Sequence, residues 1–325
     1  LKETADRLPL IFCFAGQGSQ YHQMGADLYA EEPVFRHWLQ TGDRLLRDSH
    51  GFSVLDSFYG PECRPGEPFD RLEASHPALF LVQYALAKLV QHHGLRPDQL
   101  LGISLGEFTA MSLAGMLSFE RALSGVATQP ALYRQSCEPG GMVAVLGSAM
   151  VYGQSELLSR SSEIAGVSAE EHFVLAAPAS ALPSVEAELR ARGLVHQRLP
   201  VPFAFHSRWI EPAGEVCKKA FSQYRLQSPY WPCWSSRGAG FVDPADADVL
   251  WRIVREPMNL RTTVEAVEAR GGGLYLDLSP AGSVSALVRQ VLSPQSPSRT
   301  LAVMSPFGGN VTRLRTVLAA AAERH

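Results

Sequence analysis

Two short apolar runs, each emptying into a glycine-rich turn, restrict this chain more than any other feature. Residues 8–15 (LPLIFCFA) are continuously apolar and lead into Gly16-Gln17-Gly18-Ser19-Gln20. Such a run lacks the polar alternation of a half-exposed strand and reads as a parallel strand buried on both faces. Leu100-Leu101-Gly102 leads in the same way into Ile103-Ser104-Leu105-Gly106-Glu107, followed by a helix over 108–117. Between the two runs, residues 77–95 carry helical periodicity, closed by Gly94 and Pro97. Strand, helix, strand, helix in this order predicts an α/β fold on a parallel sheet.

The middle of the chain changes character. Strands are expected at 142–146, 173–176 and 195–201, with helices at 153–164 and 180–191. This βαββ-like spacing predicts a small split sheet inserted into the larger domain. After His206 the α/β rhythm returns, with helices at 211–224 and 246–254 and a strand at 273–278. Residues 293–299 (SPQSPSR) read as a loop, and the ends 3–7 and 323–325 as charged tails.

Composition narrows the class. With 29 basic and 32 acidic residues the formal net charge is −3, which argues against a nucleic-acid groove or a polybasic membrane contact as the main business. No apolar run approaches the roughly 20 residues of a spanning helix, since the best candidate, 77–90, is broken by Gln83 and Lys88. Residues 1–9 are too polar for a signal peptide. The five cysteines, Cys13, Cys63, Cys137, Cys217 and Cys233, are scattered without a CxxC pair. That is the usage of a reduced cytoplasmic protein and implies neither a disulfide framework nor a zinc site. The expectation is a soluble cytoplasmic enzyme.

Gly102-Ile103-Ser104-Leu105-Gly106 is a GxSxG between a predicted strand and a predicted helix. A tight turn there projects the Ser hydroxyl, the glycines allow close backbone packing, and the helix N-terminus favours a developing oxyanion. The plainer alternative is an ordinary βα turn in which Ser104 caps the helix. A nucleophilic Ser needs a base, usually His. His22, His37, His50, His92, His93 and His172 lie in contexts without an obvious task. His206 ends the apolar run Val201-Pro202-Phe203-Ala204-Phe205, where a histidine is either structural or catalytic. An α/β-hydrolase triad would end on a late His, but only the terminal His325 follows His206. Gly16-Gln17-Gly18 is no dinucleotide fingerprint, because Tyr21 stands where the third glycine belongs.

FAGQGSQ (14–20), GISLGE (102–107) and FAFHS (203–207) occur in the order of the malonyl-CoA:acyl-carrier-protein transacylase family, which the chain resembles along essentially its whole length. HPALFLVQYALA (76–87), VREP (254–257), DLSPAG (277–282) and MSPFGG (304–309) look like the same family, the last two especially like the discrete acyltransferases that serve polyketide synthases in trans. The resemblance implies a large α/β-hydrolase-like domain, over 1–138 and 206–325, with a ferredoxin-like subdomain over 139–205. It implies Ser104 as acyl-accepting nucleophile, His206 as general base, and backbone N–H groups of Gln17 and Leu105 as the oxyanion hole. Glu256 stands where the family usually has a Gln or Asn that orients the histidine. A backbone carbonyl there could do the same job, leaving the carboxylate either to tighten the pairing or to face water.

The departures carry the substrate reading. Ile103 replaces the His usual before the nucleophile, and Phe203-Ala204-Phe205-His206 replaces the HAFH of malonyl-selective members. Members that transfer carboxylated units grip the free carboxylate with a helical Arg ahead of the GGM turn. Counting back from Met142 lands on Gln129, which has no guanidinium. Arg134 lies further along the same helix, rotated by about 140°. Burying a carboxylate without a cationic partner costs several kcal/mol. A pocket holding Gln129, Ile103, Phe203 and Phe205 therefore suits an uncharged acyl chain. The expected function is an acyltransferase of polyketide biosynthesis that moves a non-carboxylated acyl group to or from an acyl carrier protein through an acyl-Ser intermediate. The alternatives are an editing hydrolase of acyl-carrier-protein thioesters using the same dyad, and a non-catalytic docking subunit, against which the intact Ser104 and His206 argue. The partners implied are an acyl carrier protein and an acyl thioester on that carrier or on CoA; no metal or redox cofactor, nucleic acid or membrane is implied.

Overall fold

In the computed structural model, residues 7–323 are described; residues 1–6 and 324–325, on which part of the leader reading and of the charged ends falls, lie outside the described residues. Among the described residues ten strands, β1 (Leu10–Phe14), β2 (Gln99–Gly102), β3 (Gly140–Leu146), β4 (Glu163–Ala169), β5 (His172–Pro178), β6 (Val195–Arg198), β7 (Cys233–Ser235), β8 (Gly240–Phe241), β9 (Leu274–Asp277) and β10 (Arg299–Ala302), divide between two sheets. The first runs β10-β9-β1-β2-β7-β8, with β8 alone antiparallel to its neighbour. The second runs β4-β5-β3-β6 and is antiparallel throughout.

β1 occupies the middle of the first sheet, and all five of its residues are buried, as a parallel strand covered by helices on both faces requires. It is parallel to β2, Phe14 opposite Gly102, so the two glycine-rich turns leave the same edge of the sheet side by side. The helix Leu72–His92 packs its apolar residues into the main core. It starts five residues before the expected 77 and carries Pro77 inside it. Burial of Leu72 and Ala74 draws the preceding turn into the helix.

The expected α/β sheet and the expected insertion are both present, and the insertion is more complete than the sequence suggested. The segment read as one helix over 153–164 holds the end of a short helix, Met150–Gly153, and a second helix, Glu156–Ser161. It then becomes β4, whose pairing with β5 carries two register shifts. Those irregularities and its small residues hide the alternation that marks a half-buried strand. With β4 added, the order of the small sheet is ferredoxin-like, two helix crossovers covering one face of four strands. The sequence reading also missed the short strands β7 and β10. The helix expected at 211–224 is a 3₁₀ turn, Arg208–Ala213, running into a helix at Gly214–Phe221.

The small sheet is also bridged to the segment that follows the helix Val249–Arg255. Gly166 of β4 forms an isolated parallel bridge with Met258. Met258 N–H donates to the Ala165 carbonyl at 2.9 Å, and Val167 N–H donates to the Met258 carbonyl at 2.8 Å. A Cβ at position 166 would lie 2.9 Å from that carbonyl oxygen, so only glycine admits the contact. No helix among the described residues is long and apolar enough to cross a membrane, and all five cysteines are free.

Candidate active site

β2 ends at Gly102 and the helix Leu105–Leu113 begins almost at once, leaving Ser104 at a sharp corner with φ 52° and ψ −119°. An L-residue held there costs about 1–3 kcal/mol, strain that persists only where the surroundings enforce it. Here they do. Ile103 N–H donates to the Phe14 carbonyl at 2.9 Å, and a Cβ on Gly106 would overlap that same peptide. The helix starts earlier than the expected 108, and Ser104 makes no side-chain capping bond. Its hydroxyl lies instead 2.8 Å from His206 Nε2.

His206 reaches this position from an irregular crossing after β6 rather than from a strand, with φ 60°. Its N–H is fixed by the Val254 carbonyl at 3.0 Å, and the residue is 2% exposed. Nδ1 lies 2.8 Å from the backbone carbonyl of Glu256. A carbonyl only accepts, so Nδ1 carries the proton and Nε2 offers a lone pair to the Ser104 hydroxyl. Burial lowers the imidazole pKa to about 4, opposed by the hydrogen bond to Glu256 and aided by nearby Arg255. The ring is therefore neutral at pH 7. The Glu256 carboxylate makes no hydrogen bond to the ring and is partly exposed to solvent. It pairs with Arg237 at 3.0 Å and Arg252 at 2.6 Å.

Gln17 and Leu105 line the same cavity as Ser104, and neither backbone N–H has a hydrogen-bond partner among the described residues. The Gln17 side chain is anchored, its Nε2 lying 2.9 Å from His76 Nδ1. His76 is 4% exposed, and burial lowers its pKa to about 3, so it accepts as a neutral ring. Sequence reasoning gave His76 no role, although it opens the motif HPALFLVQYALA. It also dismissed His172, which the structure brings to the cavity wall with a buried, unpartnered Nδ1.

The cavity measures about 340 Å³, and its lining is mainly apolar, including Phe108, Met142, Val174, Phe205 and Leu287. Ile103 and Gln129 line it, as expected. Gln129 is 1% exposed. Its Oε1 accepts from the Tyr133 hydroxyl at 3.0 Å, and its Nε2 is buried without a partner. Tyr133, one helical turn on, was missed, although an i, i+4 pair shares a face. Arg134 pairs with Glu73 beside a different cleft, away from this cavity. Phe203 corrects the expectation. It does not line the cavity but borders that second cleft, packing behind Tyr133 and Phe205 with ring centroids 6.0 Å from each. The run here is irregular rather than a strand, so two phenylalanines two positions apart do not share a face, and Phe203 is left as support for Phe205.

Comparison with known proteins agrees with this geometry. The chain is 37% identical over 309 residues to "Polyketide biosynthesis acyltransferase homolog BaeD" of Bacillus velezensis, covering 95% of each protein. It is 32% identical, again over 95% of each, to "Polyketide biosynthesis acyltransferase homolog PksD" of Bacillus subtilis. Among solved structures, the acyltransferase domain from module 8 of the salinomycin polyketide synthase superposes with a TM-score of 0.87 at 26% identity, over 97% of this chain and 76% of that one. Residues 11–325 match the acyl transferase domain model, and the chain belongs to that family.

Proposed function

We propose that the protein is an acyltransferase of polyketide biosynthesis that moves a non-carboxylated acyl group to or from an acyl carrier protein. The observation that carries the reading is the 2.8 Å contact between Ser104 Oγ and a neutral His206, on the wall of an apolar cavity that offers Gln129 and no cation. Ser104 Oγ attacks the thioester carbonyl carbon while His206 Nε2 takes its proton. The oxyanion is received by the N–H groups of Gln17 and Leu105, donors worth about 10²–10³ in rate for each one lost in comparable sites. The intermediate collapses by expelling the thiolate, which takes the proton from His206, and the acyl group remains on Ser104 as an ester. A carrier-protein thiol then attacks that ester with His206 again as base. Water in place of the thiol gives editing hydrolysis from the same intermediate. The antiparallel sheet over 140–198 supports the division into a large subdomain (1–138 and 206–325) and an inserted small one (139–205).

Intact-mass spectrometry after incubation with acetyl, longer acyl and malonyl carrier-protein thioesters tests the proposal. The expected result is a neutral acyl adduct on Ser104 that is discharged to a second carrier protein. Absence of any adduct, or malonyl loading as fast as acetyl, overturns it.

A further inference from the structure

Behind the strained corner, on the side away from the cavity, lies a buried polar chain that the acyl-transfer steps leave unused. Glu107 sits in the first turn of the helix Leu105–Leu113 and is 1% exposed. Its Oε1 lies 3.2 Å from the backbone N–H of Ser236 and 3.0 Å from the Ser236 hydroxyl. Ser236, fully buried just beyond β7, in turn accepts the backbone N–H of Ser104 on its Oγ at 3.3 Å. The direction of the chain is fixed by the inventory of protons. The Ser236 hydroxyl has one, the carboxylate accepts it, and a Ser236 lone pair is left for the Ser104 N–H.

We propose that Glu107 and Ser236 are positioning residues for Ser104. They pull the Ser104 N–H to the back of the elbow and hold the residue in its unfavourable backbone conformation, with Oγ facing His206 and the Leu105 N–H left free. The inference rests on the reading of Ser104 as nucleophile. Three observations favour it over a mere staple between the helix and β7. The chain ends on the backbone of the strained residue itself rather than on a neighbour. The hydrogen bond from Glu107 N–H to the Ser104 carbonyl, 2.9 Å, holds the other end of the same residue. And Glu107 Oε2 is buried with no partner, an arrangement that a purely structural carboxyl would be expected to avoid. Burial raises the carboxyl pKa to about 7, against the lowering influence of Arg237 and of the hydrogen bonds from Ser236. Oε1 accepts in either protonation state, because the proton settles on the unpartnered Oε2.

The test is single-turnover acylation of the full chain by acetyl-carrier-protein, followed by intact mass. Rates are normalised to the burst amplitude, so that unfolded protein does not count, and thermal stability is measured in parallel. Ser236→Ala removes the middle of the chain with one atom. It is expected to slow acylation roughly tenfold to a hundredfold, the scale on which small misplacements of reacting groups act, with full amplitude. Glu107→Gln keeps the Oε1 acceptor and is expected to stay within about threefold of the unaltered rate. It should nevertheless lose stability, because its NH₂ is buried where Oε2 had no partner. Glu107→Ala should match Ser236→Ala, and the double variant should be no slower than either, because the two act in series. If Ser236→Ala acylates within twofold of the unaltered protein, or Glu107→Gln falls as far as Glu107→Ala, the positioning role is overturned while Ser104 stands as nucleophile. If the unaltered protein carries no adduct on Ser104, it is the nucleophile reading that fails.

Discussion

Two parts of the cavity lining are built in opposite ways. Around Ser104 the groups that would do chemistry are fixed through backbone atoms. The Glu256 carbonyl holds His206, Gln17 and Leu105 line the cavity with backbone N–H groups that have no partner among the described residues, and the Ser104 N–H is tied back. Around Gln129 what the cavity is offered is decided by side chains. One amide is held on its oxygen by Tyr133 and unpartnered on its nitrogen, among Met142, Val174 and Phe205. A backbone carbonyl is indifferent to residue type, so the His206 support tolerates substitution at position 256, whereas the Ser104 N–H depends on the Ser236 and Glu107 side chains. Side-chain groups change with every substitution, so the Gln129 wall tolerates none without changing what it presents. The Glu at position 256 and the Gln at position 129 are both departures from the family pattern, and only the second alters what the cavity presents.

The hardest blow to the Ser104 end is Ser104→Ala. It should abolish the acyl adduct in intact mass while the circular dichroism and melting temperature hold. An adduct that persists elsewhere would move the nucleophile. His206→Ala should slow single-turnover acylation about a hundredfold or more, the scale of a positioned base; a near-normal rate would make His206 structural. At the Gln129 wall, Gln129→Arg should raise malonyl loading relative to acetyl about tenfold, short of the full worth of a charge pair because the surrounding apolar wall is unchanged. No gain would remove Gln129 from selectivity. The pH dependence sharpens the contrast further. His206 acts as a base only when neutral, and its pKa is lowered to about 4. The acylation rate should therefore stay level from pH 8 to about pH 5 and fall as pH drops through about 4. A midpoint near the usual 6.5 would mean that the ring is not buried as described. The smallest effect is expected at Glu256→Gln, within about twofold in kcat, because the carbonyl and not the carboxylate holds the ring.

Much of this was legible in the sequence, for identifiable reasons. The buried parallel strand and the corner at Ser104 are local. An unbroken apolar run and a GxSxG fix them within a few residues, and the resemblance supplied His206 as the partner across the fold. The supports were not legible. Ser236 and Glu107 lie far apart in the chain, and a serine after a three-residue strand has no pattern of its own. His76 hides in an apolar helix as a core residue would. Phe203 was misplaced because the run 201–206 gives no sign of which of two phenylalanines turns inward. β4 escaped because its bulges erase the period of two on which strand reading depends.

The bridge between Gly166 and Met258 has a mechanical consequence. Met258 is bonded on both sides to β4 and lies two residues from the carbonyl that aims His206. Met142 and Val174, on the neighbouring strands of that small sheet, line the cavity. The small sheet and the loop that aims His206 are thus one mechanical unit: a displacement of β4 would be carried through Met258 to the carbonyl that holds the imidazole.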